Sequence, residues 1–426
     1  MSRQPEGAAV EDSFAGRCVL VVSTNYAPEH TGIGPYSTQI AEHLAASGAD
    51  THVLAGMPHY PAWEVAQGYR GRWRVRERRG GVTVHRRRHT VPPRQTAAHR
   101  ALFEASILAH GVLAPPRIRP EVVLTQMPTL AGGVLGGRLA RRAGAPHVVV
   151  VQDLMGAAAA QSGIRGGGRA AAAAGAVEAR ILRGATVVGV VHESFVQRVT
   201  AMGVPRSRVQ VVPNWTHVQG PSGDREATRA RLGWRPEETV LLHAGNMGLK
   251  QGLDVLVEAA RLADQEAAPI RIVLMGDGNQ RDRLQQLATG VSALTFLPPA
   301  DADAFPEVLA AADVLAVTQK ASVLDMSLPS KLTSYFMTGR PVIASVAAQG
   351  GTAQEVLRSG AGSVITPEDP KALLAEVCAL AADPERAARI GACGPRYAEE
   401  HLSSRAGLDR ITALLRLATA ARGTGR

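Results

Sequence analysis

Short aliphatic and β-branched runs alternate with longer stretches of helical period along nearly the whole chain. The first half reads as strands at Arg17–Val22, Thr51–Ala55, Val82–Arg86, Glu121–Thr125, His147–Val151 and Thr186–Val191. The second half reads as strands at Thr239–Ala244, Arg271–Met275, Leu294–Leu297, Val314–Thr318, Pro341–Ser345 and Ser363–Thr366. Runs such as HVVVV and RIVLM carry few polar interruptions, which suits parallel strands covered on both faces. Strand–helix alternation predicts an α/β architecture of two doubly wound sheets. Right-handed crossovers then gather the loops that follow the strands on one edge of each sheet, where ligands bind.

The Pro-, Gly- and polar-rich segment PNWTHVQGPSGDRE separates the two halves. The expected domains are 17–213 and 214–399, after a disordered tail over 1–16 that lacks an apolar run or a signal-peptide core. Beyond about residue 370 the pattern is helical and ends in a helix near Ser404–Ala421. A chain of 426 residues suits two such domains. No uninterrupted apolar stretch is long enough to predict a spanning helix. Cys18, Cys378 and Cys393 are scattered, with neither CxxC nor zinc spacing, so the expectation is a reducing compartment and no metal.

The net charge of +10 changes this picture in one place. Eleven Arg and one Glu fall between Arg70 and Arg100, enough to account for the whole excess. Arg70, Arg72, Arg74, Arg76, Arg78 and Arg79, with Trp73 among them, read as a surface for an anionic partner. The interleaved rings Tyr60, Trp63, Tyr69 and Trp73 favour a membrane interface over a plainly solvated basic face. Nucleic-acid binding is a third reading, but the charge sits in one segment and no nucleic-acid motif accompanies it.

Three loops carry candidate chemistry. The first strand opens into STNYAPEHTGIGPYSTQIAEHLAASG, where Gly32 and Gly34 let backbone approach a ligand. The spacing is not a nicotinamide fingerprint, because that pattern needs Gly where Ser37 stands. The second half opens with VLLHAGNMGLKQG, where Gly245, Asn246, Gly248 and Lys250 sit between strand and helix. Amides at a helix start plus an ammonium make a diphosphate site, while a surface lysine in a glycine turn is the plain alternative. In QKASVLDMSLPSKLTSYFMTGRP, Pro329 and Gly339 bracket a short helix with Ser330 and Lys331 on its first turn. A cation there opposes the helix dipole, which points to an anion as its partner. Asp325 precedes that helix and reads either as an acceptor for sugar hydroxyls or as a turn residue.

YAPEHTGIGPYSTQIAEHLA, VVQDL, VVPNW, GNMGLKQGLDVLVEAA, MGDGNQ and LPSKLTSYFMTGRPVIA, in this order, resemble the GT-B glycosyltransferases of family 4, and most closely their colanic acid biosynthesis branch. The resemblance runs from about Val19 to Ile365. It implies two Rossmann-like domains facing an interdomain cleft, with the final helix, about 400–426, crossing back to the first domain. It implies a retaining hexosyltransferase that needs no metal or other cofactor and takes a nucleotide diphosphate sugar as donor. Lys250 and Lys331 would hold the phosphates, with Asp325 beside the sugar. Gly276, Gly278 and the backbone near Leu297 would line the nucleoside, and Ser330 and Ser334 would lie on the donor helix. The Gly32–Gly34 loop would approach donor and acceptor, and Asp153 would line the acceptor side or the cleft. The chain departs from the family pattern at Asn246, where many members have Arg, at Met326 and Ser334, where many have Glu, and at Gln152, where many have His. A polyprenyl-linked glycan acceptor, a cytoplasmic location on the inner membrane face and no nucleic-acid partner complete the expectation. A sugar-nucleotide epimerase on the same fold is the second enzyme reading; it would need acids and histidines converging on the sugar.

Overall fold

The computed structural model describes residues 14–30, 32–92, 96–127, 129–154, 167–216, 220, 223–301, 303–323 and 331–423. The chain forms two compact units, Met1–Pro213 with Leu408–Arg426, and Asn214–Gly407.

In the first unit the strands are β1 Cys18–Val22, β2 Asp50–Gly56, β3 Arg74–Arg79, β4 Val82–Arg87, β5 Val122–Met127, β6 His147–Val151, β7 Val187–Val190 and β8 Val209–Val211. Its helices are α1 Gly34–Ala46, α2 Ala97–Leu113, α3 Leu130–Ala143, α4 Gly167–Gly184 and α5 Ser194–Ala201. The sheet order is β3-β4-β2-β1-β5-β6-β7-β8, parallel except for the β3–β4 hairpin. Leu20, Val22, Leu54 and Val123 pack with Ala140 of α3. Val188 and Val190 pack with Leu182, Phe195 and Val199. Burial on both faces is why these strands read as continuous apolar runs.

In the second unit the strands are β9 Thr239–Ala244, β10 Ile270–Met275, β11 Leu294–Leu297, β12 Val314–Thr318, β13 Val342–Ser345 and β14 Gly362–Ile365, in the order β11-β10-β9-β12-β13-β14. The helices are α6 Arg225–Arg231, α7 Asp254–Gln265, α8 Arg281–Leu287, α9 Phe305–Ala311, α10 Lys331–Phe336, α11 Gly351–Ser359, α12 Pro370–Ala382 and α13 Pro384–His401. Alternation splits the strands between two cores. Leu242, Val273 and Leu315 join Tyr335 and Phe336 on one face, while Leu241, Ile272 and Leu274 join Leu256 and Leu373 on the other. The last helix, α14 Ser404–Gly423, begins in this unit and continues into the first. There Leu414 lies where a Cβ on Gly189 of β7 would meet it at 3.0 Å, and Thr412 bonds His43 of α1 at 3.2 Å.

Two strands escape the sequence pattern. β3 reads RVRERR, with no apolar face to signal it, because it is an edge strand paired on one side only. β8 has only three residues. The tail expected over 1–16 ends too late. Phe14 is buried, the Arg17 N–H bonds its carbonyl, and the Gly16 N–H bonds Gly48. A single aromatic anchor fixes this turn, and a search for apolar runs passes over it.

Candidate active site

The loops after β9 and β10 press backbone against backbone at the carboxyl edge of the second sheet. The Gly245 N–H bonds Met275 at 2.8 Å, the Met247 N–H bonds Asp277 at 2.8 Å, and the Gln280 N–H bonds Met247 at 3.0 Å. A Cβ on Gly276 would lie 2.0 Å from the Gly245 carbonyl oxygen, and one on Gly278 would lie 2.5 Å from that of Met247. Gly245, Gly276 and Gly278 also have φ of 125°, 138° and 153°, which L side chains rarely adopt. Space and torsion together require glycine at 276 and 278, while at Gly245 the torsion alone does.

Helix α10 delivers a lysine to this edge. Tyr335 is buried, and its hydroxyl accepts from the Ala244 N–H at 2.8 Å while donating to the Ala244 carbonyl at 3.3 Å. Lys331 lies one turn earlier on the same helix face. Its Nζ is 3.1 Å from Nε2 of the fully buried His243, and a Cβ on Gly245 would meet it at 3.5 Å. Burial brings the Lys331 amine down to about 7. Burial first, and then the Lys331 charge, hold His243 well below the ordinary histidine range. A neutral imidazole thus accepts from the amine and keeps it against the glycine turn. An arriving anion would favour the ammonium form.

The remaining second-unit residues fall around this point. Lys250 is exposed on a turn of 3-10 helix, Leu249–Gln251, whose backbone is tied to the loop after β12 through the Lys320 N–H to the Lys250 carbonyl at 3.0 Å. Asn246 is exposed and Gly248 half-buried in the same loop. Ser334 is buried on α10. The Leu297 carbonyl is occupied by the Gly276 N–H at 3.1 Å and by Arg281 at 3.2 Å, so it braces the glycine turn. Asp325 and Ser330 lie outside the described residues.

In the first unit, Gly34 opens α1, and a Cβ there would lie 2.8 Å from the Glu29 carbonyl oxygen. Gly32, with φ of 64°, faces the Tyr60 ring at 3.2 Å from an added Cβ. The loop that holds both is fixed by the buried carboxylate of Glu29. Its oxygens accept from the backbone N–H groups of Tyr26, His59 and Tyr60 at 3.1, 2.8 and 2.8 Å. Asp153 follows β6 and is half-buried. Arg70, Arg72, Trp73, Arg74, Arg76, Arg78 and Arg79 are all exposed, and Arg70 pairs with Glu64 at 2.5 Å. Arg86, counted in the same stretch, is buried against its one glutamate, Glu77, at 2.6 Å, and this pair adds no net charge to the patch. Trp63 and Tyr69 are also engaged, Trp63 edge-on to His59 and Phe103, and Tyr69 bonded to Glu77.

Sequence reasoning passed over His243, Tyr335 and Glu29. His243 did carry a signal, as a polar residue in an otherwise apolar buried strand. Nothing in the local pattern marks the other two.

Residues 31–215 match the Glycosyl transferase 4-like domain, and residues 238–383 match Glycosyl transferases group 1. WcaI of Escherichia coli (strain K12), named for colanic acid biosynthesis, is 31% identical over 374 residues, covering 84% of this chain and 91% of that protein. Sucrose-phosphate synthase from Thermosynechococcus elongatus superposes with a TM-score of 0.71 at 19% identity, over 95% of this chain and 100% of that one. Anabaena HepE, solved with UDP-glucose, gives 0.66 at 17% identity, over 94% and 99%. Two Rossmann-like sheets, the glycine-locked loops and these matches lead to one conclusion: the chain belongs to family 4 of the GT-B glycosyltransferases.

Proposed function

We propose that this glycosyltransferase moves a hexose from a nucleoside diphosphate sugar to a lipid-linked saccharide in exopolysaccharide or cell-surface glycan synthesis, retaining anomeric configuration. The observation that carries the reading is the Lys331 amine held by His243 against the Gly245 turn. A cation beside unsubstituted backbone suits a diphosphate leaving group, and relatives add weight: HepE was solved with UDP-glucose, and WcaI is named for a polysaccharide. As the bond from C1 to the β-phosphate oxygen breaks, negative charge grows on that oxygen. Lys331 and Lys250 neutralise it. The acceptor hydroxyl attacks C1 from the same face and passes its proton to the departing phosphate. Side-chain cations supply the charge stabilisation, so this route needs no metal at the donor. Asp325 is assigned to the sugar hydroxyls, Ser330 and Ser334 to donor binding, Asp153 to the acceptor, and the Gly32–Gly34 loop to both donor and acceptor. The exposed arginines of β3 suit an anionic membrane surface on the cytoplasmic side. Among the described residues no helix is long and apolar enough to cross a membrane.

The test is a thermal-shift screen of nucleoside diphosphates, followed by transfer from the matching hexose donors and NMR of the product anomer. One diphosphate should raise the unfolding midpoint by mass action, and the product should keep the donor's configuration. An inverted product would remove the front-face step, and no transfer from any donor would remove the reading.

A further inference from the structure

At the end of β1 opposite the Gly32–Gly34 loop, the entry ends of β1 and β2 bring together three different donor atoms. Parallel pairing sets Cys18 opposite Asp50 and Leu20 opposite His52. Side chains alternate along a strand, so Cys18, Asp50 and His52 share one face. Nε2 of His52 lies 3.3 Å from Oδ2 of Asp50, and the thiol, carboxylate and imidazole donors all lie within 4.8 Å of one another. We propose that Cys18, Asp50 and His52 form a zinc-binding site that pins the start of β1 to β2, a site separate from the transfer chemistry.

The geometry suits this ion. Zinc bonds of about 2.0 Å to N and O at the tetrahedral angle place those two atoms about 3.3 Å apart, the separation already present here. A thiolate at about 2.3 Å would sit about 3.5 Å from each, within the 4.8 Å that bounds the three donors here. The mixture of thiolate, imidazole and carboxylate selects zinc over magnesium or calcium, which take oxygen. The outer contacts also match a metal ligand. Nδ1 of His52 is 3.1 Å from Nε2 of His85, and the two rings stack at 5.3 Å with 25° between planes. If Nδ1 of His52 donates to His85, the Nε2 lone pair faces the Asp50 carboxylate, and that arrangement calls for a cation between them. Glu121 accepts the Cys18 N–H at 3.2 Å, while burial, and then Asp50 and Glu121, push the Cys18 thiol up to about 11, so an ion must displace its proton on binding. The Asp50 side chain is 64% exposed, which gives the ion a path in and leaves its fourth position to water. The plain alternative is a metal-free chain in which His85 donates to His52 and His52 donates to Asp50. Sequence spacing hides the site, because strand pairing, not proximity along the chain, assembles it.

The experiment uses tag-free full-length protein, stripped with chelator and titrated with cobalt(II) and then zinc(II). The proposal expects one equivalent of cobalt with a thiolate-to-cobalt charge-transfer band, bleached by zinc. Cys18→Ser should abolish the band, whereas the Cys378→Ser/Cys393→Ser double variant should keep it. Zinc should raise the unfolding midpoint of the parent but not of Cys18→Ser. Asp50→Asn alters an exposed side chain, so it tests the same site without threatening the fold, and it should weaken zinc at least tenfold. No charge-transfer band, a band that survives Cys18→Ser, or unchanged zinc affinity in Asp50→Asn would overturn the site and favour the metal-free chain. None of these readouts depends on transferase activity.

Discussion

The first loop of each unit follows a central parallel strand and enters a helical segment, yet the two are fixed by opposite means. In the second unit the loop after β9 is locked by main chain: Gly245, Met247 and Gln280 bond across to Met275, Asp277 and back to Met247. In the first unit the loop after β1 is locked by one side chain, Glu29, whose two oxygens gather three backbone N–H groups. The difference teaches what each loop can tolerate. A main-chain lattice holds its amides rigidly and admits nothing larger than hydrogen. A carboxylate staple can be loosened by degrees, by changing what its two oxygens accept.

The largest effect should therefore come from Gly276→Ala. Its Cβ would stand 2.0 Å from a carbonyl oxygen that belongs to backbone, at a φ of 138°. We expect a loss of about 3–5 kcal/mol, measured by denaturant unfolding, with no nucleotide-induced thermal shift. A variant of parental stability would show that the lattice yields, and the contrast between the loops would fail.

Lys331→Met should come next, acting on chemistry and sparing the fold. Removing a preorganised donor of this kind costs about 3–4 kcal/mol of transition-state stabilisation, or roughly 10²–10³ in turnover. The sign of the pH dependence follows from burial. The folded amine titrates near 7, well below the ordinary lysine range, so between those values the unfolded chain holds a proton that the folded chain has lost. That contribution makes stability rise with pH through the window, and Lys331→Met should remove it. The stability gap between parent and variant should narrow from pH 7 towards pH 10. Diphosphate binding at pH 8 should take up a proton, visible as a dependence of calorimetric heat on the buffer's ionisation enthalpy. Buffer-independent heat would separate Lys331 from the anion.

Glu29→Gln probes the other loop. One carboxylate oxygen becomes an amide NH2 that must face a backbone N–H, leaving donor against donor in a buried place. The cost should be about 1–3 kcal/mol, with the Gly32–Gly34 turn loosened and the donor thermal shift kept. A lost donor shift would show that the two loops do not act separately.

How much of this was legible in the sequence depends on where the information lies. β6, β9 and β12 are strands over the residues the apolar runs predict, because burial on both faces leaves a pattern that needs no partner to interpret, and β11, a half-buried edge strand, also lies where its apolar run predicts. Gly245, Gly276 and Gly278 were visible as glycines after strands, but what excludes a side chain at Gly276 and Gly278 is the backbone of Gly245 and Met247 in the neighbouring loop. Lys331 was marked by its place on a short helix. Its partner His243 lies 88 residues away, and the Tyr335 bonds to Ala244 span 91. Such contacts are set by sheet order, which local period does not encode.

The smallest effect should come from β3, which belongs to neither loop. Arg74, Arg76 and Arg78 are exposed on an edge strand, where charge discourages pairing with another chain whether or not a membrane is nearby. Arg76→Ser should change stability by no more than about 0.5 kcal/mol and leave the donor thermal shift intact. If the edge also meets anionic lipid, the same variant should lose up to about 1 kcal/mol of binding to phosphatidylserine vesicles, read by flotation at low salt and fading as salt rises. Equal flotation of parent and variant, with new aggregation in the variant, would assign these arginines to guarding the edge. A flotation loss without aggregation would assign them to the membrane, and would show that the first unit carries a recognition surface independent of its Glu29-stapled loop.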